Sequence, residues 1–97
     1  MPVAYTDTLR PGECKVVKAG EREIALYNVE GHYYATDNAC SHKDGPLGDG
    51  KLNGRVITCP WHTWEFDVIT GANLDNPSVR IACFEVRVSG ERVQVRI

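Results

Sequence analysis

No stretch of this 97-residue chain is long and apolar enough to span a membrane as a helix, and its first ten residues lack a basic segment followed by an apolar one. A cytoplasmic protein with no membrane partner is therefore expected. Basic charge is not in excess, since 11 Lys and Arg stand against 13 Asp and Glu for a net charge of −2. That balance leaves no electrostatic footprint for nucleic acid. Mild acidity would suit a basic patch on a protein partner, although two charges are more simply a solvated surface. Apolar residues do not recur at helical spacing over any window of convincing length, and no internal repeat or low-complexity run is present. Histidine is scarce at three residues, and there are four cysteines. In a chain placed in the cytoplasm, cysteines argue for metal ligation ahead of disulfides.

What is present describes a single domain over residues 1–97, too short for a second core of useful size, and a monomer is expected. Lys15-Val16-Val17-Lys18 reads as a strand and the four residues after it as a turn. Glu23 to Val29 reads as a second strand in which Ile24 and Leu26 alternate with Ala25 and Tyr27. Glu30-Gly31 turns the chain into a third strand, His32 to Thr36. After Pro77, Phe84, Val86 and Val88 alternate with Glu85 and Arg87. Ser89-Gly90 then turns, and Val93, Val95 and Ile97 alternate with Arg92, Gln94 and Arg96. This is a terminal hairpin with one buried face. Cys14 and Cys83 read as small buried apolar side chains, and His32 as solvent-facing.

Between Asp37 and Asp67 the alternation gives way to glycines at 45, 48, 50 and 54, with Pro46 and Pro60. Arg55 to Thr58 reads as a strand leading into Cys59 and Thr63 to Asp67 as one leading out, before Val68 to Gly71 turns. A loop region of this length needs an internal anchor. Two short motifs supply one: Cys40-Ser41-His42 and Cys59-Pro60-Trp61-His62. Two Cys and two His could form a tetrahedral zinc site, used as a structural interaction module. Zinc modules, however, usually pair like ligands, whereas these alternate Cys, His, Cys, His. A hydrolase reading has little support, because no third group is suggested to orient a Cys–His pair.

The alternation resembles the Rieske motif, C-x-H and C-x-x-H on two loops, in which two Cys hold one iron of a [2Fe–2S] cluster and two His the other. The flanks, Tyr34 to Ala39, Gly45-Pro46-Leu47-Gly48, Gly54, Thr63 to Asp67 and Thr70-Gly71, look like those of soluble Rieske ferredoxins. The resemblance implies an all-β Rieske domain, an antiparallel sandwich or barrel base (1–37 and 69–97) with an inserted cluster-binding subdomain at about 38–68. It implies one [2Fe–2S] cluster bound by Cys40, His42, Cys59 and His62. It implies a one-electron carrier rather than an enzyme, moving electrons from a flavin-dependent NAD(P)H reductase to a terminal oxygenase. The small subunit of an assimilatory NADH nitrite reductase, partnered by a large subunit, is the competing expectation.

High-potential members carry an extra Cys in each loop and a Ser and a Tyr after the second His. Those positions here are Gly45, Trp61, Trp64 and Phe66. Without the hydroxyl donors the sulfur charge is less compensated, so a midpoint near the low end of the Rieske range, roughly −150 mV, is expected. The second nitrogen of each liganding imidazole should make the midpoint fall at alkaline pH. Trp61, with Lys43, Asp44, Pro46 and Pro60, would rim the tip, shielding the cluster or meeting partners. Trp64 and Phe66 are expected to pack beneath it. Asp75-Asn76-Pro77-Ser78 resembles the covering third loop.

Overall fold

The computed structural model describes residues 2–5, 8–39, 46–60 and 64–96. Among these residues the chain forms strands β1 (Pro2–Tyr5), β2 (Cys14–Ala19), β3 (Arg22–Val29), β4 (His32–Asp37), β5 (Lys51–Asn53), β6 (Val56–Thr58), β7 (Glu65–Asp67), β8 (Cys83–Ser89) and β9 (Arg92–Arg96). A 3-10 turn, Leu47–Asp49, precedes β5. Two-residue turns set the hairpins. Glu30 and Gly31 both take positive φ, 54° and 92°, the handedness that matches strand twist. They hold β3 and β4 in register from Val29↔His32 to Ile24↔Asp37.

The antiparallel order β1-β9-β8-β4-β3-β2 makes a six-stranded sheet that curls into a half-barrel, with β1 approaching β2. β5, β6 and β7 form a second, three-stranded sheet. β3 is buried on both faces, which explains its near-continuous apolar run. Ile24 and Leu26 face the inside of the curl with Val17, Val93 and Val95, while Ala25 and Tyr27 face the small sheet. That outer core also holds Leu47, Ile57, Cys59 and Phe66. The all-β expectation is therefore met.

Several local expectations need correction. β1 and β5 carry no alternation that marks them. Lys51-Leu52-Asn53 becomes a strand because it pairs with β6, Lys51↔Thr58 to Asn53↔Val56. β6 starts at Val56 because Gly54, at φ 62°, and Arg55 form the turn. β7 is shorter than read, beginning at Glu65. Val88 pairs with the fully buried Val93 but is itself 46% exposed. Cys83, expected to be buried, is exposed, while Cys14 is half-buried and its thiol donates to the Gly50 carbonyl at 3.5 Å. Burial raises the Cys14 thiol pKa, and Asp49 and Glu13 raise it further. His32 is exposed, as expected.

Candidate functional site

Each Cys–His motif is carried by a loop whose base is closed by backbone hydrogen bonds. The first loop leaves β4 through Asn38 and Ala39 and returns at Pro46. Ala39 and Pro46 form a bridge, and the Leu47 N–H donates to the Asn38 carbonyl at 2.8 Å. The second loop leaves β6 at Cys59 and returns at Trp64, where the Cys59 N–H donates to the Trp64 carbonyl at 2.7 Å. The β6–β7 register, Val56↔Asp67 to Thr58↔Glu65, places the base of that loop at the end of a hairpin.

The two bases meet in one place. Leu47, fully buried just after the first loop, shares an apolar core with Cys59, Ile57 and Phe66 from the second. Two glycines allow this approach. A Cβ on Gly48 would come within 2.6 Å of the Val16 side chain and 2.7 Å of its backbone nitrogen. One on Gly50 would collide with the Thr58 carbonyl, next to Cys59. Gly48 thus lets the turn lie on β2, and Gly50 lets β5 begin beside β6.

Of the four expected ligands, Cys59 is placed: it is 1% exposed at the end of β6. Cys40, His42 and His62 lie outside the described residues, as do Lys43, Asp44, Gly45 and Trp61. Phe66 is fully buried and Trp64 half-buried, their ring centroids 6.4 Å apart at 43°. Both pack into the outer core, as expected. Neither carries a hydroxyl. A buried hydroxyl in that core belongs to Tyr27, which is hydrogen-bonded to Thr36 Oγ1 at 2.9 Å. Burial pushes the Tyr27 phenol well above its ordinary value, against the lowering effect of the Thr36 bond. Pro46 is half-buried, while Pro60 and Pro77 are exposed.

Charge at the base is arranged around Asp67. Burial by itself would raise its carboxyl, but the Ile69 N–H at 2.8 Å, the Arg55 guanidinium at 2.8 Å and the Thr70 N–H at 3.2 Å outweigh it. The carboxyl is held below its ordinary value. This pins the turn after β7 to the one before β6. Sequence reasoning passed over Asn38, whose side chain is 7% exposed and accepts from the Gly48 N–H at 2.8 Å. No local pattern marks this pairing, since Asn38 and Gly48 lie ten residues apart on either side of the first loop.

The donor set fits a thiolate-binding metal centre. Cys59 sits among Ile57, Phe66 and Leu47, where an ionised sulfur would be costly unless a cation balanced it. The donor types, two thiols and two imidazoles on two loops with adjoining bases, match a mixed-ligand iron–sulfur cluster.

Known proteins agree. The Rieske [2Fe-2S] domain family matches residues 1–85. The ferredoxin component of the naphthalene 1,2-dioxygenase/salicylate 5-hydroxylase systems of a Ralstonia species is 42% identical over 95 residues. That alignment spans 97% of this chain and 91% of the relative. Among solved structures, the complex of reduced oxygenase and oxidized ferredoxin in carbazole 1,9a-dioxygenase contains a chain of 35% identity that superposes with a TM-score of 0.90, covering 99% of this chain and all of that one. A candidate NADH-dependent nitrite reductase small subunit from Mycobacterium tuberculosis superposes at 0.85 with 26% identity, covering 98% and 93%. On its strand order, its paired loop bases and its match over residues 1–85, this chain belongs to the Rieske [2Fe-2S] domain family.

Proposed function

We propose that this chain is the ferredoxin component of a ring-hydroxylating dioxygenase system. It carries single electrons from a flavin-dependent reductase to a terminal oxygenase and is not itself an enzyme. One observation carries this reading: the end-to-end likeness to dioxygenase ferredoxins, in a chain whose two motif loops rise from a common core. Cys40 and Cys59 would bind one iron, and His42 and His62 the other. When bound, the cluster takes up and releases one electron at a time.

The protein's own part is to hold and screen that group. Cys59 is anchored through its N–H to Trp64, and Phe66 and Ile57 exclude water from beneath it. Exclusion of water lowers the local dielectric and so strengthens the effect of every charge near the site. The division into a cluster-binding subdomain at about 38–68 and a base belongs to the same proposal, supported by the separate small sheet. So do a monomeric state and a cytoplasmic location. No described helix is long and apolar enough to cross a membrane.

The test is reconstitution. Purified protein from iron-replete cells should be red-brown, with iron and sulfide in equal amounts. Adding it should restore electron flow from a flavin reductase to a ring-hydroxylating oxygenase. Flow restored instead to a nitrite reductase large subunit would favour the second reading, for which the nitrite reductase likeness is the supporting observation. A colourless, zinc-containing protein would refute both.

A further inference from the structure

We propose that Asn38 is the positioning residue that sets the first ligand loop against the second. This role rests on the reading of Cys40, His42, Cys59 and His62 as cluster ligands. The argument starts from the backbone donors of the turn Leu47–Asp49. The first N–H groups of such a turn have no partner within it and need an acceptor from outside. A Ser, Asp or Asn before the turn would supply one locally. Pro46 stands there instead and makes no side-chain cap.

Asn38 supplies the acceptors from the other end of the loop. Its carbonyl takes the Leu47 N–H and its side-chain oxygen takes the Gly48 N–H, both at 2.8 Å. Its own N–H donates to the Glu23 carbonyl at 3.4 Å, which ties the same residue to β3. One buried amide therefore spans both ends of the loop and fastens them to the large sheet.

If that clamp is lost, the turn cannot settle more closely on β2. Gly48 already lies against Val16 and Lys15, where even an added Cβ would collide, so a released turn can only shift elsewhere. Leu47, the residue just before Gly48, would move with it, and Leu47 is the residue that packs with Cys59. A shift there displaces the first loop relative to the second. Asn38 thus acts on the site through the placement of its loop, and side-chain burial keeps water from replacing the bond.

The experiment compares iron-loaded full-length wild type with Asn38→Ala, Asn38→Asp and Val93→Ala. Asn38→Asp retains the acceptor. Val93→Ala truncates a fully buried side chain in the inner core and controls for general destabilisation. Asn38→Ala is expected to lose iron to a chelator about tenfold to a hundredfold faster than wild type, with altered g-values in the reduced-state paramagnetic spectrum. Gly48 amide exchange should quicken as well. Asn38→Asp should restore the release rate and g-values towards wild type, and Val93→Ala should keep wild-type g-values. Asn38→Ser, whose side chain is too short to reach Gly48, carries the same comparison if the alanine variant does not accumulate.

Wild-type release and g-values in Asn38→Ala, or in Asn38→Ser where the alanine variant does not accumulate, would overturn the proposal. So would an equal change in Val93→Ala. In either case the coloured wild type leaves the ligand reading standing. A wild type that assembles no cluster overturns the ligand reading itself, and the positioning role with it.

Discussion

Truncating Leu47 to alanine tests whether the two loop bases rest on one core. Leu47 is fully buried and packs with Ile57, Cys59 and Phe66. Losing three carbons from the interior costs about 2.4 kcal/mol at about 0.8 kcal/mol per methylene. Collapse into the void is restricted, because Gly48 already presses on the backbone of β2. A residual cavity on the order of 50 Å³ adds about 1.2 kcal/mol at about 24 cal/mol per Å³. The total is about 3.6 kcal/mol. For a chain of this length the unfolding entropy is about 0.2 kcal/mol per kelvin, so the melting temperature should drop by about 15–20 °C.

The assay is thermal unfolding of the iron-loaded protein by far-ultraviolet circular dichroism, with visible absorbance followed in parallel. Leu47→Met, which keeps the volume, should cost less than about 1.5 kcal/mol. An alanine variant that melts within about 4 °C of wild type would show that this residue does not join the loops as described.

Three further outcomes are expected. Asp67 has a folded-state pKa below the ordinary 3.8, so its contribution to stability is complete above that value and is lost as pH falls through the lowered one. The stability gap between wild type and Asp67→Asn should therefore shrink between about pH 6 and pH 2, and a gap constant over that range would refute the assignment. Glu30 takes a left-handed φ of 54° in a turn that favours Asn-Gly. Glu30→Asn should stabilise the protein by about 0.5–1 kcal/mol in denaturant titrations, and a loss of stability would count against the turn geometry. The midpoint potential should lie at roughly −150 mV, since Trp64 and Phe66 stand where hydroxyl donors would be. A titration above about +100 mV would contradict this.

The β8–β9 hairpin was readable because a half-buried sheet repeats every two residues, whereas β3 was readable from a near-continuous apolar run that is buried on both faces. The turn chemistry of Glu30-Gly31 was equally local, while the turn read at Ser89-Gly90 falls one residue later, at Gly90-Glu91, because Ser89 pairs with Arg92 as the last residue of β8. β5 was not readable: Lys51-Leu52-Asn53 has no preference of its own and is a strand because Gly50 lets it lie against β6. Cys83 and Val88 were misjudged for a related reason. Apolar character and strand position do not by themselves bury a residue, and both are exposed here although Val88 pairs with the buried Val93.

At the site the same division holds. The family was determined by the sequence by itself, because the type and spacing of the proposed ligands Cys40, His42, Cys59 and His62 are local features of the chain. The supports beneath them were decided by tertiary structure alone. Asn38 meets Gly48 ten residues away, and Leu47 meets Cys59 across the gap between two loops. No local pattern encodes such meetings, because they depend on how closely separate backbones approach once the sheets have packed.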